Sequence, residues 1–178
     1  MKKFITYSTL LLSLVCSAQV ASYNQFPAIQ PTHILDENLD NISFAFSLRI
    51  LASEYVGPLI RLRRASDNAE MDFFCKDDDK VDVDAINTWR NESNLFVVIW
   101  YDQSGLDRNA VQNTRNRQPR FHPDATRPYF QGDGINDFLS VDTPNGIQDV
   151  TNNGNQGTVL AILKATTKSQ HTFGVLTN

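Results

Sequence analysis

The residues best suited to chemistry in this chain sit where a long apolar run stops. Trp100 and Tyr101 end that run and Asp102 follows them. Aromatic faces stack on sugar rings and carboxylates hold hydroxyls, so these three are the candidate substrate-binding residues. Bond-breaking chemistry on a sugar would need more, namely two carboxyl groups facing each other across it. The four glutamates are Glu37, Glu54, Glu70 and Glu92, with none after position 92, and no close acidic pair lies on one strand. Asp102 and Asp107 flank one turn, while Asp133, Asp137 and Asp142 cluster later. Asx turns account for that placement as well as a cleft does, so no residue is assigned a catalytic role.

Other constellations fall away on spacing. Asp77-Asp78-Asp79 with Asp82 and Asp84 lacks the Gly and the terminal Glu of a calcium loop. His33, His122 and His171 are far apart and form no ligand-spaced pair, so no metal and no cofactor is expected. Ser104-Gly105 has no G-x-S-x-G frame around it. With 16 basic and 20 acidic residues the formal charge is −4, and no basic block marks a nucleic-acid partner.

The elements that must position these residues read as short strands. Leu95 to Tyr101 (LFVVIWY) is apolar, β-branched and aromatic, the pattern of a central strand covered on both faces. Leu59 to Arg63 alternates with period two, and Met71 to Cys75 is the next strand. Ile42 to Leu51 is dense in apolar and aromatic side chains. Further strands are expected at Asn109–Gln112, Pro119–His122, Pro128–Gln131, Asp137–Val141, Thr158–Lys164 and His171–Val175. Val83, Ile86 and Trp89 are spaced for one short helix near 83–90, with Asp82 as its N-cap. Cys75, beside Phe73-Phe74, reads as a buried structural thiol. The fold class is all-β, an antiparallel sandwich with that single helix.

The first eighteen residues look like an address. Met1-Lys2-Lys3 precedes a mostly apolar run from Phe4 to Val15, then the small residues Cys16-Ser17-Ala18. This is the pattern of a secretory signal peptide, and the run is short of the roughly 20 apolar residues of a membrane span. Val15 stands where a lipoprotein signal wants a smaller residue, so cleavage after Ala18 is expected rather than lipidation at Cys16. The expected product is secreted or cell-surface, without membrane insertion. Residues 19–41, with Pro27 and Pro31, read as an irregular entry segment, and 42–178 as the sandwich.

Two stretches carry a resemblance. Tyr55 to Asn68 reads YVGPLIRLRRASDN, and Trp100 to Gln112 reads WYDQSGLDRNAVQ. They resemble the N-terminal half of the catalytic domain of the α-L-arabinofuranosidase B family. Gly57, Pro58, Leu59, Arg63, Arg64, Ser66 and Asp67 match one family segment; Tyr101, Asp102, Gln103, Ser104, Gly105, Asn109 and Gln112 match the other. Phe130 to Leu139 is similar to a segment common to laminin-G-like and concanavalin-like sandwiches. The resemblance implies a jelly-roll sandwich, a secreted enzyme releasing terminal arabinofuranose from plant polysaccharide, and a glycan partner. It places the catalytic carboxylates in the family's second half, so this chain is expected to be a front part lacking them. The adjacent cysteine pair of the family is absent here. The matched residues are then scaffold: Arg63 or Arg64 paired with Asp67 or Asp102, Gln103 and Ser104 capping the turn, Gly57 and Gly105 at positive φ. A non-catalytic, laminin-G-like glycan-binding or adhesion sandwich is the alternative.

Overall fold

In the computed structural model, residues 33–37, 42–123, 127–142 and 157–164 are described, all within the second of two units, Thr32–Asn178. The expected signal peptide, most of the entry segment and the His171–Val175 strand lie outside the described residues.

An apolar strand needs neighbours on both edges to satisfy its backbone, and the strongest strand of the sequence has them. Among the described residues seven strands form: β1 (Ile60–Arg64), β2 (Glu70–Phe73), β3 (Leu95–Trp100), β4 (Ala110–Val111), β5 (Arg120–His122), β6 (Tyr129–Gln131) and β7 (Ser140–Val141). They make one antiparallel sheet in the order β2-β1-β3-β4-β7, with β5 pairing both β3 and β6. β3 is central, as its composition requires. Among the described residues the one α-helix is α1 (Val83–Arg90), beside a short 3₁₀ turn at Arg115–Arg117, so the all-β class with one helix holds.

Residues opposite each other on antiparallel strands share a face. Ile60 lies opposite Phe73 and Trp100, Leu62 opposite Val97, and Leu95 opposite Phe121. Together with Ile50, Val81 and Ile86 these side chains form the main buried core, and Phe130 packs against it. Arg61 lies opposite Asp72 and Ile99, which is in turn opposite Val111; Arg63 lies opposite Glu70 and Phe96, which faces Arg120. The second face therefore carries charged side chains of both signs among Phe96, Ile99 and Val111. Between Arg61 and Leu62 the register slips, leaving Val98 as the extra residue of a β-bulge in β3.

Helix α1 covers the apolar face. The Asp82 carboxylate accepts from Ala85 N at 2.9 Å, the expected cap, and Asn91 closes the C-terminus in the left-handed region at φ 45°. Ile86 is fully buried, while Trp89 meets Phe73 edge-on at 5.4 Å and lies under the Arg64 guanidinium at 4.6 Å.

Three expectations need correction. Thr158–Lys164 forms no strand and is exposed throughout, its backbone paired to none of the seven strands. Ile42–Leu51 contributes a bridge at Arg49 with Lys80 rather than a paired strand. Cys75 is exposed, not buried. It lies beyond the end of β2, in a narrow loop closed by its bridge to Val81 and by Lys76 N donating to Lys80 O at 2.7 Å.

Ile86→Ala is expected to cost about 2–5 kcal/mol by opening a cavity beneath the helix. A urea midpoint unchanged from wild type would show that the helix does not hold this face.

Candidate functional site

The turn that follows β3 is built around one carboxylate. Asp102, 4% exposed, accepts from Ala45 N at 2.7 Å, Ser104 N at 3.0 Å, Ser104 Oγ at 2.6 Å and Arg108 N at 3.1 Å. Its own N–H donates to Asn109 Oδ1 at 2.9 Å. Gly105 at φ 83° and Asp107 at φ 56° reverse the chain. Gln103, 1% exposed, accepts from Leu51 N at 2.8 Å and donates to Arg49 O at 2.8 Å and Ser47 O at 3.3 Å. Gln103 N–H reaches Ala45 O at 2.8 Å, and Arg108 Nη1 reaches Ser43 O at 3.0 Å. The WYDQSG segment thus fastens the irregular 43–51 segment to the end of the central strand. Four protein donors occupy the Asp102 oxygens, so Asp102 serves the backbone here rather than a hydroxyl of a ligand.

The other two sequence candidates point elsewhere. Trp100 packs between Phe46 at 5.3 Å and Phe130 at 4.7 Å, with Phe44 stacked on Phe46 at 5.5 Å, and its indole N–H is buried without a partner. Tyr101 lies on the polar side, where its hydroxyl donates to Asp72 Oδ1 at 2.7 Å. Arg61 grips the same carboxylate with Nε at 2.8 Å and Nη2 at 2.7 Å. That pairing holds the Asp72 carboxyl below its usual range, and burial followed by the Asp72 hydrogen bond pushes the Tyr101 phenol up. Burial and the Asp102 charge push Tyr55 up to about 12. Trp100, Tyr101 and Asp102 are consecutive in sequence but are not gathered around one space.

The Arg-Arg segment divides in the same way. Arg64 pairs with Asp67 at 2.7 Å, as expected. Arg63 does not pair with a carboxylate. It is 5% exposed, its guanidinium lies 4.7 Å from the Phe96 ring centre, and it donates to Gln118 Oε1 at 2.7 Å and Asn68 Oδ1 at 2.9 Å. Gln118 Nε2 passes the link to Gln112 O at 2.8 Å, so residues of both matched segments join one network. Gly105 has the expected positive φ, but Gly57 does not. Gly57 is needed for close approach instead: a Cβ there would lie 2.7 Å from the Tyr55 hydroxyl, which donates to Pro58 O.

An open cleft of about 510 Å³ lies beside this network. Its walls are Asn109, Val111 and Asn113 from β4 and its continuation, Phe138, Ser140 and Asp142 around β7, with Asp107, Gln112 and Thr114. Alternate residues on two paired strands face one side of a sheet, so the lining follows from the register Val111↔Ser140. Gln112 orders the wall, accepting from Thr114 N at 2.9 Å and donating to Phe138 O at 3.2 Å. Amides, hydroxyls and carboxylates beside a phenyl ring are the groups that bind a sugar. The i, i+2, i+4 run Asn109-Val111-Asn113 was the sequence signal for this cleft, and the matched motif masked it. Near it, the Asp133 carboxylate takes three backbone N–H donors, which hold it low, while burial raises Asp137. Both side chains are spent on closing the 133–137 loop. Among the described residues no group of three or more His, Cys, Asp or Glu could hold a metal, and no helix is long and apolar enough to cross a membrane.

No family model and no curated protein matches the chain. Solved arabinofuranosidase structures do. An arabinofuranosidase complexed with arabinofuranosyl-α-1,2-xylobiose is 29% identical over 38% of this chain and 14% of that one, with a TM-score of 0.35. A GH54 α-L-arabinofuranosidase soaked with a cyclic sulfate inhibitor is 29% identical over 36% of this chain and 14% of that one, with a TM-score of 0.34. A mutant GH54 enzyme soaked with 4-nitrophenyl α-L-arabinofuranoside is 27% identical over 39% and 15%, with a TM-score of 0.36. The matched span is thus 14–15% of the length of these proteins.

Two outcomes follow. Asp102→Ala strands several buried donors and is expected to cost about 3–5 kcal/mol, read from urea denaturation; a loss confined to a few tenths would mean the turn holds without it. Folding lowers the Asp72 carboxyl below its ordinary 3.8, so its contribution is complete above that value and fades as acid protonates it. Asp72→Asn should therefore narrow the stability gap between about pH 7 and about pH 3. An unchanged gap would remove Asp72 from the acid response.

Proposed function

We propose that this chain belongs to a secreted carbohydrate-active protein of the α-L-arabinofuranosidase kind. In this reading its residues form the front part of a jelly-roll domain, which supplies the scaffold and a glycan-facing surface. The observation that carries the reading is the joining of the two matched segments. Arg63 and Asn68 from one, and Gln112 from the other, meet through Gln118, while Asp102, Gln103 and Ser104 tie the strand end to residues 45–51. Residues far apart in sequence that match one family are thus close in space, paired where Ile60 lies opposite Trp100 and held by two hydrogen-bond networks.

The division of labour is equally clear in chemical terms. Retaining hydrolysis uses two carboxyl groups about 5–5.5 Å apart, one of them held protonated. Asp102, Asp72 and Asp67 are each held by donors of the chain, and Asp133 is closed into its loop. None of these four is free to serve as acid or nucleophile, and in this reading those two groups come from other residues of the domain. Secretion is part of the proposal and is supported by the charged, apolar and small-residue run at 1–18.

A non-catalytic, glycan-binding sandwich is the second reading, and the cleft lined by Asn109, Asn113 and Phe138 favours it. The complete open reading frame, expressed and offered an aryl α-L-arabinofuranoside, is expected to release arabinose. Absence of release, combined with retardation in an arabinoxylan gel that Phe138→Ala abolishes, would replace the enzyme by the binding module. Absence of both would sink the two readings together.

A further inference from the structure

Beside the charged face of the sheet lies a cluster of arginines whose sign is opposite to the net charge of the chain. The whole protein has a formal charge of −4, yet Arg115, Arg117 and Arg120 fall within six residues. All three are exposed, and among the described residues none forms an ion pair. Arg63 adjoins them, its Nη2 lying 3.5 Å from the Arg115 carbonyl oxygen. It is buried against Phe96 with only neutral acceptors, so its charge has no counter-ion at contact distance. Glu70 lies opposite Arg63 in the β1–β2 ladder but makes no ion pair with it. Burial, and after it the neighbouring Arg115, works against that charge, and Glu70 offsets them only in part.

An aromatic surface continues this strip. His122 and Tyr129 are paired across β5 and β6 and stack at 4.6 Å with 10° between their planes. Arg120 lies two residues before His122 and opposite Gln131, on the same face, about 7 Å along the strand. Tyr129 is 47% exposed, enough to offer its ring edge and outer face to a ligand. A guanidinium presents a planar fork that fits a carboxylate with two parallel hydrogen bonds. An aromatic ring one sugar away suits the C–H face of the same chain.

We propose that the strip formed by Arg115, Arg117, Arg120, His122 and Tyr129, with Arg63 buried beneath it, binds a polysaccharide carrying uronic-acid carboxylates. The inference rests on the glycan reading above and narrows it: the ligand is an acidic, branched or decorated glycan rather than a neutral one. Arg115, Arg117 and Arg120 make the carboxylate contacts. Arg63, held rigid beneath them, adds positive potential without touching the ligand. Tyr129 stacks on a sugar ring beside a carboxylate-bearing unit.

Affinity electrophoresis of the full 178-residue chain tests this, with four polymers in the gel: glucuronoarabinoxylan, the same polymer with its carboxyls reduced, dextran sulfate and single-stranded DNA. Retardation strongest in glucuronoarabinoxylan is expected, with the preference lost at about 1 M salt, where the Debye length is about 3 Å. The triple variant Arg115→Gln, Arg117→Gln, Arg120→Gln should bind glucuronoarabinoxylan about tenfold more weakly. A control that removes equal charge elsewhere, Lys76→Gln, Lys80→Gln, Lys164→Gln, should bind as wild type, and far-ultraviolet circular dichroism on both variants checks that they fold. Equal retardation by the native and carboxyl-reduced polymers would overturn the acidic-glycan proposal and leave the glycan reading standing. Binding to neither xylan would remove both. Equal or stronger retardation by dextran sulfate or DNA would overturn the proposal in favour of a general polyanion surface.

Discussion

The arrangement depends on the Asp102 carboxylate. A buried carboxylate is costly unless donors surround it, and here they come from three places in the chain: Ala45, Ser104 and Arg108. The cost of burial becomes a constraint on geometry, because the charge is tolerated only when all those donors converge. That convergence brings residues 43–51 against the strand end and lets Gln103 complete the attachment with side-chain hydrogen bonds to Leu51, Arg49 and Ser47. Ala45, Ala52 and Leu35 then form the second, smaller core beyond it. An irregular segment whose ladder pairing is limited to the bridge at Arg49 is thereby given the backbone satisfaction that a full strand would obtain from a neighbour.

The two faces of the sheet follow from the same economy of partners. Apolar side chains opposite one another in β1, β2, β3 and β5 leave water together and bring helix α1 down on them. The opposite face keeps charged groups in register across strands, so Arg61 and Asp72 meet at bidentate distance. The cleft lies on this second face and the arginine strip beside it. The sheet is thus one layer with an apolar side under the helix and a charged side away from it.

What could be read in the sequence is what local pattern determines. The run 95–100 is apolar and β-branched, so β3 was legible with its central position, and Asp82 before Val83, Ile86 and Trp89 specified the helix and its cap. Features decided by distant partners were not. Thr158–Lys164 has a strand's composition, but composition provides no edge to pair with. Cys75 follows two phenylalanines, yet burial depends on what packs over a loop, and nothing among the described residues does. Gly57 signalled conformational freedom, whereas the neighbouring Tyr55 ring makes it a matter of space. The motif residues were legible as scaffold, but their identity hid the cleft and the charge strip, since Arg63 meets Arg115 only through tertiary approach.

The bulge at Val98 has one more consequence. Inserting a residue into a strand changes the phase of everything after it, so the pattern of inward and outward side chains restarts at Ile99. Trp100 then faces the core and Tyr101 the polar side, the reverse of an unbroken count from Leu95. The bulge therefore acts as a phase key for the motif: shortening β3 by one residue would preserve every hydrogen-bonding side chain in the segment yet present each to the wrong side of the sheet.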